Sequence, residues 1–311
     1  MIVVACPGQG SQTPGFLEPW LADDASRRLV GRYSEVTGVD LVKHGTVSDA
    51  ETIRDTALAQ PLIVAASLLA LRALRQAMPE AAIGGIAGHS VGEAAAAAGA
   101  GILSDDDALR FVRSRALLMA EAAAATPTGM SAVLGGDQDA VVEHVTELGL
   151  EPANYNGGGQ IVVAGALDAL ARLSDEPLRG TRVVPLQVAG AFHTRYMQQA
   201  RDSLAKEAGG FTANDPALTI WSNRDGSVVE SGARFLELMV GQVASPVRWD
   251  LCMESFQNAG ITGLIELTPG GALTGLAKRA MRGVPTVAIK TPDDLSAAVE
   301  LLTSVAVGDA S

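Results

Sequence analysis

The chain opens on an unbroken apolar run, Met1-Ile-Val-Val-Ala-Cys6, that stops at Pro7-Gly8. A short run bounded by turn residues predicts a buried strand, here leading into the Gly-rich loop Pro7-Gly-Gln-Gly-Ser-Gln12. Helical patches follow from Phe16 to Tyr33. After a polar stretch, Gln60 to Met78 predicts a helix apolar enough to be buried on most sides. Ile83-Gly-Gly-Ile-Ala87 reads as a core strand that enters Gly88-His-Ser-Val-Gly92 and then an Ala-rich helix from Glu93. Ser104 is placed to cap a further helix, running to about Ala125, whose first turn carries Asp105, Asp106 and Asp107 at the positive end of the dipole.

From Gly129 the rhythm changes. An apolar run (Met130 to Leu134), a helix (Asp139 to Leu148), strand-like runs around Ala153 and at Ile161 to Ala164, a helix (Leu167 to Leu173) and a strand (Val183 to Val188) give the order β-α-β-β-α-β. The strand and helix rhythm resumes afterwards. The fold class expected is therefore α/β, with residues 129–189 forming a small ferredoxin-like subdomain inserted into a larger one made of 1–128 and 190–311. No internal repeat is visible, and low complexity is confined to Val307 to Ser311.

Composition narrows the function classes. A chain of 311 residues with 48% apolar and 19% charged residues can bury a full core, which excludes a disordered chain. The first residues lack a basic segment and read as a strand, not a signal peptide. No apolar run is expected to approach the ~18 residues of a membrane span, so a membrane is not a predicted partner. Cys6 and Cys252 are far apart and without CxxC spacing, which argues against a disulfide scaffold or a zinc site and for a reducing cytoplasm. With 23 basic and 35 acidic residues, nucleic acid is disfavoured, and an acidic partner would need a local basic patch. Nothing demands more than a monomer.

The candidate chemistry centres on Gly88-His-Ser-Val-Gly92, a G-x-S-x-G motif in the strand-to-helix context it requires. Its glycines permit a strained turn that exposes the Ser90 hydroxyl, and the N–H of Val91 would face an oxyanion. A serine needs a base. Of four histidines, His89 should point across the turn and pack, His144 flanks a helix, and His44 sits in a polar loop; His193, after Gly190-Ala-Phe192, is preferred by elimination. Arg115 falls on the apolar arc of its helix with Ala108, Phe111, Val112, Leu118 and Met119, whereas Arg110 and Arg113 point away. An arginine can snorkel from such a face. A buried counter-ion role competes with that reading, since a desolvated guanidinium wants a bidentate carboxylate or phosphate, from the protein or from a substrate.

Together these residues resemble the malonyl-CoA:acyl-carrier-protein transacylase family over almost the whole chain. The matching segments are Pro7 to Gln12, Gln60-Pro61, Gly88 to Glu93, the Arg115 helix, Gly129-Met130, Asn156 with Gln160 to Gly165, Gly190 to Thr194, Gln242 to Trp249, and Glu266 to Gly271. The resemblance implies an α/β-hydrolase-like large subdomain carrying the serine and a ferredoxin-like insertion carrying the histidine. It further implies Ser90 as acylated nucleophile, His193 as general base and then acid, and the amides of Gln9 and Val91 as oxyanion hole. Arg115 would grip the malonyl carboxylate, and the Gln242 segment would orient the histidine through a backbone carbonyl, giving a dyad without an acid. Phe192 beside His193 matches the malonyl-selecting type, its ring filling the space of an α-methyl branch, worth ~1–3 kcal/mol. Malonyl-CoA and an acyl carrier protein are the implied partners, with no metal and no bound cofactor. A serine hydrolase and a noncatalytic acyl-binding scaffold are the competing classes.

Overall fold

The computed structural model describes residues 1–78, 83–188 and 190–308; of the low-complexity tail, 309–311 lie outside them. In chain order the elements are β1 (Ile2–Cys6), α1 (Asp24–Thr37), α2 (Leu41–Thr46), α3 (Thr56–Ala77), β2 (Ile83–Gly88), α4 (Gly92–Gly99) and α5 (Asp105–Ala125). There follow β3 (Thr128–Gly135), α6 (Gln138–Glu147), β4 (Glu151–Gly157), β5 (Gln160–Ala166), α7 (Leu167–Asp175) and β6 (Thr181–Pro185). The chain ends with α8 (Gln198–Ala208), β7 (Thr219–Trp221), α9 (Gly232–Gln242), β8 (Val247–Arg248), α10 (Trp249–Asn258), β9 (Gly263–Glu266), α11 (Ala272–Ala280), β10 (Thr286–Ala288) and α12 (Leu295–Gly308).

Two sheets organise these elements. The larger has the order β10-β9-β1-β2-β7 and every pairing in it is parallel. A parallel sheet needs both faces covered, and β1 shows how: Ile2, Val4 and Cys6 enter the core shared with α3, α4 and α5, while Val3 and Ala5 enter the one shared with α10 and α11. The smaller sheet has the order β6-β3-β5-β4-β8, its first four strands in ferredoxin-like arrangement, with a core of its own that includes Val133, Val145, Val163 and Leu173. The fold is thus the expected α/β one, with β8 joining the small sheet from far along the chain through parallel pairing with β4.

Three elements differ from expectation. The Gln60 helix begins at Thr56, capped by the Asp55 carboxylate on the N–H of Ala57, so that Pro61 lies inside it. A proline there leaves the carbonyl of Ala57 without its intrahelical donor, and the Arg113 guanidinium supplies one at 2.8 Å. Arg113 is therefore only partly exposed and tied to α3. With those extra residues α3 becomes long and apolar enough to cross a membrane, contrary to the expectation that no run approaches that length; most of it is buried inside the fold. The strand expected over Val183 to Val188 lies earlier, at β6, because its register with β3 runs from Thr181 to Pro185. Finally, His44 belongs to α2, with Nδ1 3.0 Å from the Ser48 hydroxyl.

Candidate active site

Ser90 stands between β2 and α4 with φ of 53°, a left-handed conformation costly for a residue with a Cβ. The turn closes so tightly that a Cβ on Gly88 would meet the Gly92 backbone at 2.0 Å, and one on Gly92 would meet the Cys6 carbonyl at 2.2 Å. Both glycines are thus steric necessities. The turn is braced by Asn223, just after β7: its Oδ1 accepts the Ser90 N–H at 2.8 Å and its Nδ2 donates to the Gly88 carbonyl at 2.7 Å. Such a brace can hold a strained backbone that would otherwise relax.

His193 also has positive φ, 63°, and its N–H donates to the Val243 carbonyl at 3.2 Å. It lies beyond the small sheet, in the loop between β6 and α8, not within the ferredoxin-like insertion. The Ser90 hydroxyl is 2.7 Å from Nε2, and Nδ1–H donates to the Gln242 carbonyl at 2.8 Å. That second bond fixes the tautomer, leaving Nε2 as the acceptor. Burial, and then the Arg115 charge, push the imidazole down to about 3, so it is neutral at pH 7 and free to take a proton. His44 and His144 are elsewhere, the latter 3.3 Å from the Glu176 carbonyl.

Arg115 is 2% exposed, beneath the floor of the cleft. Its guanidinium donates to Gln60 Oε1 at 2.6 Å, Gln242 Oε1 at 3.0 Å and the Ser90 hydroxyl at 3.3 Å. Both amide acceptors are neutral. An acid does belong to this network, however: Glu93, in the first turn of α4, accepts from the Asn223 N–H at 2.7 Å and from Gln242 Nε2 at 2.5 Å. Burial pushes its carboxyl above the usual range, opposed by the Asn223 bond and the Arg115 charge; each of its oxygens accepts from an N–H donor, the arrangement of a carboxylate. Burial likewise lowers Arg115 to about 10, opposed by Glu93. Glu93 is not hydrogen-bonded to the histidine, whose Nδ1 faces the Gln242 carbonyl.

A cleft of about 360 Å³ opens above Ser90 and His193, with Gln9, Val91 and Phe192 on its wall. Val91 is the N-cap residue of α4, so its N–H stands at the start of that helix, and Gln9 is anchored through its side chain to the Arg54 carbonyl at 3.3 Å. His89 does pack edge-on against Trp249, yet it also lines the cleft and donates from Nε2 to Asn156 Oδ1 at 2.8 Å, which ties the serine turn to β4. The three glycines after Asn156 all have positive φ, at 70°, 57° and 74°, which accounts for that Gly run between β4 and β5. Behind the far wall, the buried Glu266 accepts from the N–H groups of Gly271, Leu273 and Thr274 and so fixes the start of α11 beside the cleft. Among the described residues, no group of three or more His, Cys, Asp or Glu could hold a metal.

Of the residues singled out beforehand, Ser90, His193, Gln9, Val91 and Phe192 meet in one cleft, with Arg115 and Gln242 directly below it. Sequence reasoning missed the parts played by Gln60, Glu93, Asn156 and Asn223. A hint existed for Glu93, the one charged residue in an otherwise Ala and Gly helix. A serine whose proton can pass to a neutral imidazole, beside amides at a helix start, is equipped for acyl transfer or hydrolysis.

Residues 3–303 match the family described as the acyl transferase domain. The malonyl CoA-acyl carrier protein transacylase of Mycobacterium tuberculosis is 46% identical over 299 residues, covering 95% of this chain and 98% of that protein. The crystal structure of the Mycobacterium tuberculosis transacylase superposes with a TM-score of 0.92 over 97% of this chain and 99% of that one, at 46% identity. A malonyl-transacylase in complex with its type II PKS acyl-carrier protein gives 0.90 over 96% and 99%, at 30% identity. With the Ser90 turn and its histidine partner inside the matched span, the chain belongs to the acyl transferase family, among its malonyl CoA-acyl carrier protein transacylases.

Proposed function

We propose that this chain moves a malonyl group from malonyl-CoA to the phosphopantetheine thiol of an acyl carrier protein through an ester on Ser90. The observation that carries the choice of acyl group is the Arg115 guanidinium, 3.3 Å from the Ser90 hydroxyl and held by two neutral amides. A carboxylate on the acyl chain forms stronger, charge-assisted bonds than those amides and offsets the burial of the cation. In the first half-reaction the Ser90 oxygen bonds to the thioester carbonyl while its proton passes to His193 Nε2. The C–S bond then breaks and the CoA sulfur leaves with that proton. The amides of Gln9 and Val91 face the oxyanion, and the Gln242 carbonyl holds the imidazole throughout. In the second half-reaction the carrier thiol gives its proton to His193 and attacks the ester, and Ser90 leaves as the alcohol. The Phe192 ring occupies the space of an α-methyl branch.

An acidic carrier requires positive charge near the cleft. Arg195 and Arg201 are paired with Glu151 and Asp202, whereas Lys278, Arg279 and Arg282 are exposed on and just after α11, with Arg279 on the cleft wall. The α11 group is the better docking candidate. Two buried free thiols, Cys6 and Cys252, fit a reducing compartment, and we place the reaction in the cytoplasm. The decisive experiment is intact mass after incubation with malonyl-CoA, followed by peptide mapping. One base-labile malonyl group on Ser90, absent from Ser90→Ala, is expected; a label elsewhere, or free malonate released as fast as CoA, overturns the reading.

A further inference from the structure

Glu93 is buried at 2% exposure and lies in no substrate path, yet both of its oxygens are committed to the groups that hold the site. We propose that it is a positioning residue: it sets the orientation of the Gln242 amide and thereby presents Arg115 to an acyl chain ending in a carboxylate, an inference that rests on the malonyl reading above.

The orientation follows from what surrounds each end of the amide. Gln242 Nε2 faces only acceptors: Glu93 Oε2 at 2.5 Å, Asn223 Oδ1 at 3.1 Å and the Ser90 carbonyl at 3.2 Å. Its Oε1 faces the Arg115 donor at 3.0 Å. Turning the amide over would set an oxygen against three oxygens and an NH2 group against a guanidinium. Among those acceptors Glu93 makes the shortest contact and is the one that can carry a full charge, so it dominates the preference. Its other oxygen holds the Asn223 N–H, and Asn223 in turn holds both the Ser90 N–H and the Gly88 carbonyl. One carboxylate thus reaches the serine turn and the arginine by separate bonds.

The spacing matters as much as the orientation. A carboxylate paired directly with Arg115 would satisfy the guanidinium from within and leave little to attract a ligand. Glu93 instead stands one amide away, near enough to offset the buried cation and too far to occupy its hydrogen-bonding edge. Gln60 completes the arrangement from the other side, as a second neutral acceptor whose Nε2 is 3.6 Å from Met119 Sδ. The guanidinium is aimed, desolvated and bound only by groups that a carboxylate can outcompete.

The test compares an acyl donor that needs Arg115 with one that does not. Malonyl-CoA reads the whole network, and p-nitrophenyl acetate, whose acyl group has no carboxylate, reads the Ser90 and His193 pair alone. Glu93→Gln should lower kcat/KM for malonyl-CoA by about 10- to 100-fold, the loss expected for one hydrogen bond to a charged group. The glutamine keeps one oxygen for the Asn223 N–H that braces the serine turn and loses only the acceptor facing Gln242, so reaction with p-nitrophenyl acetate should stay within about threefold of wild type. Glu93→Asp keeps the charge but shortens the reach, and should fall between; it supplies the same ratio if the glutamine variant does not fold. Equal losses on both probes in a folded variant, or no loss on either, overturn the positioning role. A wild type that reacts with p-nitrophenyl acetate but leaves no malonyl on Ser90 overturns the malonyl reading instead.

Discussion

On the proposed reading, Arg115 carries selectivity without touching the scissile bond. A guanidinium held by neutral amides is costly to bury; Glu93, one amide away, offsets part of that cost, and a bound carboxylate would offset more. Arg115→Ala should therefore slow malonyl transfer by about a thousandfold or more while sparing transfer of unsubstituted acyl groups, and Arg115→Lys should rescue poorly because it lacks the planar fork. Comparing kcat/KM for malonyl-CoA and acetyl-CoA, with a thermal melt as control, decides it; an equal fall on both would make the residue structural. The histidine makes a second prediction. Its imidazole is pushed from 6.5 down to about 3, so the base stays neutral as the pH falls, and kcat/KM for malonyl-CoA should show no histidine limb between pH 7 and 5. Stability has the matching sign: the unfolded histidine takes up a proton below about 6.5 and the folded one does not, so the fold weakens as pH falls through that window. Ser90 could be read from its glycines, and His193 by eliminating its rivals. Asn223 and Glu93 could not, since each acts on backbone groups more than a hundred residues away.

Among the elements, the turn from β2 to α4 has little freedom. Gly88→Ala or Gly92→Ala should each destabilise by at least about 3 kcal/mol, the upper end of ordinary overpacking, because the added methyl would strike backbone and no side chain can yield. A thermal melt unchanged from wild type would show that the turn can open. For α3, replacing Arg113 by Leu should cost about 1–3 kcal/mol by leaving the Ala57 carbonyl unsatisfied, and restoring a donor with Pro61→Ala in the same chain should recover part of it. The contrast between α5 and α3 explains what was legible at this scale. The N-terminus of α5 was marked by Ser104 and three aspartates, signals local to the chain, and the helix begins where they put it. That of α3 was obscured by Pro61, which reads as a first-turn residue, although a side chain from α5 makes its interior position tolerable.

At the scale of the whole molecule, the net charge of −12 opposes an acidic carrier, so any approach must be local and oriented. Reversing Lys278, Arg279 and Arg282 to glutamate should raise KM for the carrier while leaving acylation by malonyl-CoA nearly unchanged; equal damage to both halves would point to the fold. The two-subdomain plan was visible in the change of strand and helix rhythm, but β8 was not, because a two-residue strand leaves no periodicity to detect. The larger sheet has a consequence for the order of synthesis. β1, which precedes every other strand of the sheet in the chain, is an inner one, and its neighbour β9 pairs Ile2 with Gly263. Between them come Ser90, Arg115, His193, Asn223 and Gln242, so a growing chain holds the serine long before it holds the carbonyl that aims the histidine. Ribosome-bound chains stalled before Gln242 should carry no malonyl label. On the proposed reading, a growing chain that has not yet reached Gln242 leaves malonyl-CoA untouched.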